Sequence, residues 1–290
     1  MQIGLLDIDG HNFPNLALMK IASFHRHKGD SVTWYDDFQG KFDIVYTSKV
    51  FTFTPDYGYY INSDKVISGG TGYDATIKLS DEIDRCLPDY SIYPNFKDAY
   101  GFLTRGCIRN CSWCIVPKKE GAIRAYCDIE DVLQGRKSAV LMDNNVLACD
   151  FGIKQIEKIV DLKCKVDFNQ GLDCRLITDE IAHLLFKVKW ARYIRFSCDT
   201  IENLEPLLQA IEKLNRHGFK NYRIFVYLLV RDVNDANEIA DVLKRIGATP
   251  FAQPYRDFEN KVKPTAEQKQ FARYVNHKAI FKSTEWKNYR

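Results

Sequence analysis

Ala99-Tyr100-Gly101-Phe102-Leu103-Thr104-Arg105-Gly106-Cys107-Ile108-Arg109-Asn110-Cys111-Ser112-Trp113-Cys114 is the stretch from which the rest of the chain can be read. Its first five residues form an apolar run of the length of a buried strand. Its last eight place Cys107, Cys111 and Cys114 with three residues in the first gap and two in the second. Three thiolates on one short loop fill three corners of a cubane cluster and leave the fourth iron without a protein ligand. Electron-transfer clusters take four cysteines, so an open iron implies an exogenous ligand. The loop follows a strand, where α/β folds keep their chemistry. A structural zinc site is the alternative, and it needs a fourth Cys or His, normally in paired spacing. No second C-x2-C or H-x3-H pair exists to close it, so a zinc module would need a distant cysteine.

Outward from this loop, strand and helix signals alternate, which predicts an α/β protein with a mostly parallel sheet. On the C-terminal side, strands are expected near 99–103, 139–142, 165–168, 193–196, 222–229 and 249–253. Helices are expected near 129–134, 152–162, 179–187, 201–216 and 235–246. Six strands, with five helices between them, fall short of the eight strand–helix pairs of a closed barrel. On the N-terminal side, strands near 3–8, 32–35, 43–47 and 65–68, with a helix over 14–27, form a small Rossmann-like layer. The expected organisation is a Rossmann-like domain over 1–86, a proline-bearing linker over 87–96, the larger α/β series over 97–258, and a basic, mainly helical extension over 259–290.

The bulk numbers narrow the function classes. At 290 residues, 46% apolar and 27% charged, the composition is that of an ordinary globular protein. No apolar run reaches the ~18 residues that span a bilayer, and the N-terminus has no basic region like that of a secretory signal. Nine cysteines, an odd number, argue against a disulfide framework and for a reducing cytoplasm. The net charge of +3 is small, yet residues 259–290 hold eight Lys or Arg against three Glu. Such a tail can contact the phosphates of nucleic acid, although a solvated helix face is the commoner reason for the pattern.

A strand ending in C-x3-C-x2-C, with Trp113 just before the last cysteine, resembles the radical S-adenosylmethionine superfamily. The resemblance implies a partial (β/α)6 barrel, a 4Fe-4S cluster on Cys107, Cys111 and Cys114, and S-adenosyl-L-methionine chelated to the open iron. It implies reductive cleavage to a 5′-deoxyadenosyl radical that abstracts hydrogen from a substrate, with an electron donor such as flavodoxin or ferredoxin. Trp113 matches the aromatic near the adenine. Asp143, Asn144 and Asn145, after the second strand, stand where family members often carry Gly-Gly-Glu against the methionine ammonium. Gln170 and Arg175 follow the third strand, and a guanidinium there would pair with the nucleotide's carboxylate. Ser197 and Asp199 follow the fourth, where an acid binds the ribose hydroxyls; helix capping by Asp199 or Thr200 is the plainer alternative.

The N-terminal layer is similar to a trimmed cobalamin-binding domain. Cobalamin is the minority reading there, because His11 matches a corrin-ligand pattern only loosely and Gly69-Gly70-Thr71-Gly72 is no dinucleotide fingerprint. A cobalamin-dependent methyl transfer and a zinc-containing nucleic-acid module are the rival functions. Cys149, Cys174 and Cys198 fall near the same rim without a cluster spacing, and Cys86, Cys127 and Cys164 read as small buried hydrophobes. Gln253, Tyr227, Tyr255, Arg256 and Asp257 are weaker substrate-side candidates.

Overall fold

The computed structural model describes residues 1–10, 13–257, 260 and 262–289. His11, the loose corrin-ligand candidate, lies outside the described residues. The chain divides into two compact units. One is Met1–Gly101 with Glu130–Arg136; the other is Phe102–Ile129 with Lys137–Arg290.

The first unit is a parallel sheet of four strands in the order β2-β1-β3-β4, formed by β1 (Gln2–Asp7), β2 (Ser31–Trp34), β3 (Phe42–Ser48) and β4 (Ser63–Gly69). The central strand β1 buries Ile3 and Leu5 completely. Helix α1 (Leu16–His27) starts where the Asn15 side chain accepts from the Leu18 N–H at 3.2 Å, satisfying one of the free donors of its first turn. A short α2 (Asp81–Asp84) follows. Residues 87–96, expected as a linker, are built into this unit. Tyr90, Ile92 and Tyr93 are buried there, and the Tyr93 hydroxyl donates to Asp7 at 2.8 Å. Strand β5 (Ala99–Gly101) ends it. The 69–72 glycine run has a packing reason: a Cβ on Gly70 would stand 2.3 Å from the Lys49 carbonyl oxygen. The loop after β3 is pinned by Asp9, which accepts from Thr54 Oγ1 at 2.6 Å and from the Val50 N–H at 2.5 Å.

The second unit begins with a short antiparallel pair, β6 (Thr104–Arg105) and β7 (Arg124–Ala125), on either side of the cysteine loop and of α3 (Val116–Lys119). Helix α4 (Ile129–Leu133) spans the junction of the two stretches. Parallel strands then alternate with helices: β8 (Ser138–Leu141), α5 (Asp150–Leu162), β9 (Lys165–Phe168), α6 (Asp179–Lys187), β10 (Lys189–Trp190), β11 (Ile194–Ser197), α7 (Leu204–Arg216), β12 (Ile224–Val230), α8 (Val233–Ile246) and β13 (Thr249–Pro254). β8, β9 and β10 pair in one run and β11, β12 and β13 in another. Among the described residues, a parallel bridge from Leu172 to Phe196 links the two runs.

In β12, Ile224, Val226, Leu228 and Val230 are buried while the residues between them are half-buried, so one face lies under helices and the other lines the open side. α7 and α8 bury Leu207, Ala210, Ile211 and Leu214, and Val233, Ala236, Ile239, Ala240 and Leu243, at the three- and four-residue spacing of one helical stripe. Each large aliphatic so covered contributes about 1.5–3 kcal/mol. No closed barrel results, because among the described residues β13 pairs with β12 alone.

The tail is helical, with α9 (Ala266–Asn276) and α10 (Lys278–Ser283). It is not solvated all round, since Phe271, Tyr274 and Val275 are buried while Lys269, Arg273, Lys278 and Lys282 stay exposed. Asn276 uses its side-chain amide as a strand would use its backbone. Its Oδ1 accepts from the Ala252 N–H and its Nδ2 donates to the Ala252 carbonyl, both at 2.8 Å, so the free edge of β13 is occupied there. No helix among the described residues is long and apolar enough to cross a membrane.

Candidate active site

Gly106 makes the cysteine loop possible. Its φ of +83° lies in the left-handed region, and a Cβ there would stand 2.2 Å from the Ala122 carbonyl oxygen. The chain can therefore fold back so that the Cys107 N–H donates to the Gly121 carbonyl at 3.2 Å. Next to it, Arg105 donates to both carboxylate oxygens of Glu120, at 2.8 and 2.5 Å. Its guanidinium also lies 3.9 Å from the centre of the Phe102 ring. Cys107 and Cys111 are half-buried and Cys114 is exposed. The Cys107 sulfur accepts from the Arg109 N–H at 3.3 Å and from Asn145 Nδ2 at 3.5 Å. Burial pushes the Cys111 and Cys114 thiols up, so a metal that binds them must expel their protons.

Among the described residues, no three of His, Cys, Asp or Glu gather closely enough to hold a single metal ion. A tetrahedral zinc would draw its thiolates to within about 4 Å of one another. A cubane binds each thiolate on a separate iron and needs them further apart, which three thiols on one open loop permit.

The segment after β8 divides its work. Asp143 faces inward. It accepts from the Leu103 N–H at 3.1 Å, from the Thr104 N–H at 2.6 Å and from Thr104 Oγ1 at 2.8 Å. It thus clamps the entry to the cysteine loop, and its lone pairs are engaged. Burial outweighs these bonds and lifts its carboxyl to about 6. The two asparagines differ, because Asn144 Nδ2 and Asn145 Oδ1 are buried without a partner. Orphaned polar atoms beside a ligand loop are sites for a polar guest.

The sign of the Asp143 effect is testable. A folded-state pKa above the unfolded value of about 4 contributes stability that is complete below pH 4 and is lost as pH rises through 6. Asp143→Asn is therefore expected to reduce the gain in thermal midpoint between pH 7 and pH 5, by roughly 2–4 °C for each kcal/mol in a chain of this size. An unchanged pH profile would show that Asp143 does not titrate there.

Asp173 is the hub that the sequence reading left out of the site. Its carboxylate, 6% exposed, accepts from Arg109 Nε at 2.9 Å, from Asn145 Nδ2 at 3.2 Å, and from Arg175 Nε and Nη2 at 2.6 and 3.1 Å. It ties the cysteine loop to the segments after β8 and β9. The two guanidiniums outweigh burial and hold Asp173 below the usual carboxylate range. Arg175, expected to meet a carboxylate of the nucleotide, here meets one of the protein. Gln170 is exposed and donates to Asn169 Oδ1 at 2.9 Å. Gly171 does allow a close backbone approach, but the neighbour is β11: at φ +87° its Cβ position lies 3.2 Å from the Phe196 carbonyl carbon.

At the end of β11, Ser197 is half-buried on the open side of the sheet. Asp199 accepts from the Leu229 N–H at 3.1 Å, and Thr200 makes no side-chain cap, so neither residue caps the following turn. Burial pushes the Asp199 carboxyl up, against the Leu229 N–H, the Trp113 side chain and the Arg175 and Arg231 charges. Trp113 therefore meets Asp199. Asp199 and Thr200 line a cavity of about 240 Å³ with Leu228, Leu229, Arg231 and Ile239. Cys174 and Cys198 are buried, and burial lifts Cys174 to about 11, which fits inert core thiols. Tyr227, on β12, donates to the Asn169 carbonyl at 2.9 Å and accepts from Arg195 at 3.1 Å, so its hydroxyl serves the sheet.

No family model matches the chain. Over 160 residues, 54% of its length, it is 28% identical to the ribosomal protein uS12 methylthiotransferase RimO of Clostridioides difficile (strain 630). Two solved structures of the cobalamin-dependent S-adenosylmethionine radical enzyme OxsB share the fold. The form with aqua-cobalamin bound gives a TM-score of 0.55 at 14% identity, over 84% of this chain and 52% of that one. The apo, selenomethionine-labelled form gives 0.54 at 12% identity, over 98% of this chain and 56% of that one. The sequence match and the shared fold support a relation to the radical S-adenosylmethionine superfamily. Its match spans 33% of the length of the RimO relative. Radical S-adenosylmethionine homologues imply a 4Fe-4S cluster and S-adenosylmethionine, and cobalamin is bound in one OxsB structure.

Proposed function

We propose that the protein is a radical S-adenosylmethionine enzyme whose 4Fe-4S cluster is held by Cys107, Cys111 and Cys114. The observation that carries this is the pairing of three thiols on one loop with two orphaned amide atoms, Asn144 Nδ2 and Asn145 Oδ1, on the next strand end. When bound, the cluster and nucleotide supply one-electron cleavage to a 5′-deoxyadenosyl radical that takes hydrogen from a substrate.

The chain's own residues do the rest. The Arg109 N–H and Asn145 Nδ2 hydrogen-bond the Cys107 sulfur, a contact that tunes cluster potential. Arg109 and Arg175 outnumber Asp173 by one positive charge beside a cluster made anionic by its thiolates. Arg175 acts through Asp173 as a positioning residue. Asn145 Oδ1 offers an acceptor to the methionine ammonium, and Asn144 Nδ2 a donor to the carboxylate. Asp199 is the acceptor for ribose hydroxyls, with Trp113 beside it and Ser197 and Gln170 at the margins. The radical S-adenosylmethionine region would run from 97 to 258, following the Rossmann-like layer. A flavodoxin or ferredoxin is the electron donor of the class.

Anaerobic reconstitution with iron and sulfide, followed by reduction with dithionite and S-adenosylmethionine, tests the reading. Four irons per chain and formation of 5′-deoxyadenosine are expected, and Cys107→Ala, Cys111→Ala or Cys114→Ala should each abolish both. Bound zinc with no iron uptake would overturn it. The fold shared with a cobalamin-bound structure also supports a corrin as second cofactor, and adding a corrin to the same reconstitution shows whether the first unit retains one.

A further inference from the structure

Four arginines lie on or near this rim, and three are engaged. Arg109 and Arg175 bind Asp173. Arg195 donates to both oxygens of Asp167, at 2.6 and 2.7 Å, and to Tyr227. Arg231 differs. It directly follows β12 and lines the cavity beside Asp199. Its guanidinium lies 4.4 Å from the centre of the Trp113 ring and 5.9 Å from that of Tyr255. Among the described residues, no hydrogen bond or ion pair takes up its N–H groups.

Stacking fixes the plane of a guanidinium while leaving its N–H edge free. The backbone is fixed as well, since the Arg231 carbonyl accepts from Gln268 Nε2 of α9 at 2.9 Å. Two of the acids around it are engaged elsewhere. Asp232 accepts from the Asn234 and Asp235 N–H groups, and Asp199 from Leu229. Asp235 sits in the first turn of α8, where the helix dipole favours its charge. The result is a pre-oriented cationic fork lining the cavity, near the charges of Asp199, Asp232 and Asp235 but hydrogen-bonded to none of them among the described residues.

We infer that Arg231 is an oxyanion receptor, and that the molecule processed at this site presents a phosphate or carboxylate to the Trp113–Arg231 stack. The inference rests on the function proposed above. There, the nucleotide's amino-acid end belongs to the open iron and to Asn144 and Asn145 beside Cys107, whereas Arg231 stands with Asp199 and Trp113 at the nucleoside end. The anion therefore belongs to a second molecule, the substrate.

Calorimetric titration of the cluster-loaded protein, saturated with S-adenosylhomocysteine, against inorganic phosphate at low ionic strength tests this. Saturable binding is expected, at least tenfold weaker in Arg231→Gln and largely kept in Arg231→Lys. Phosphate binding that is absent, or equal in wild type and Arg231→Gln, would overturn the assignment. A second arm compares S-adenosylhomocysteine with 5′-methylthioadenosine, which lacks the amino-acid end. If Arg231→Gln weakens only the former, the anion is the nucleotide's own carboxylate and the substrate assignment fails. Failure of the wild type to take up iron or S-adenosylhomocysteine would instead overturn the function on which the inference rests.

Discussion

Gly106→Ala is expected to lose most of the protein's capacity to load iron, while Gly121→Ala keeps it. Both glycines have positive φ, at +83° and +76°. Each substitution therefore costs about 1–2 kcal/mol in backbone conformation. They differ in what a methyl group would meet. At Gly121 nothing lies within 4 Å, whereas at Gly106 the Ala122 carbonyl oxygen is at 2.2 Å and the Gly121 carbonyl oxygen at 2.6 Å. Both are backbone atoms that no rotamer change can move. The chain must swing residues 121–122 away, which breaks the bond from the Cys107 N–H and displaces the first ligand of the motif. Iron per chain after anaerobic reconstitution separates the pair, with a several-fold loss expected for Gly106→Ala only. Equal loading in the two variants would show that the fold-back is not needed.

Asp173→Ala is expected to have the second-largest effect. The substitution strips one carboxylate from Arg109, Arg175 and Asn145 together. Removing one partner of a fully buried pair costs about 3–5 kcal/mol. The two arginines are 33% and 34% exposed, so solvent screens part of the loss. Roughly 2 kcal/mol is expected, concentrated in the cysteine loop. Proteolysis within residues 105–115 should speed up and iron loading should fall. Asp173→Asn, which keeps an acceptor, should lie between the two. A variant with wild-type loading and protease resistance would show that the cysteine loop holds its shape without the latch.

These two residues show how far the sequence could be read. The ligand motif was legible because its information is local: three cysteines within eight residues, after an apolar strand. The strand–helix alternation was legible for the same reason, since each stripe on α7 or α8 is a short periodic pattern. Asp173 was not, because its partner Arg109 lies 64 residues away and no spacing connects them. A nearer signal was present: Asp173 and Arg175 are two apart in a tight turn, and such a pair competes with any ligand for the guanidinium. Asp143 was read as a cofactor contact because its position after a strand was visible, while the inward turn of its carboxylate was not. The packing of residues 87–96, expected as a linker, was not legible because their prolines speak only of local backbone. Burial of Tyr90, Ile92 and Tyr93 is set by partners elsewhere in the first unit.

The pairing of Asn276 with Ala252 bears on the order in which the chain is made. β12 and β13 leave the ribosome before α9 does, so for the time it takes to synthesise some twenty residues the outer edge of β13 has no Asn276 to occupy it. An uncovered strand edge is a template for a strand of another nascent chain. Translation speed across residues 255–276 therefore sets how long that template is on offer, and crowding on a polysome sets how often it is taken.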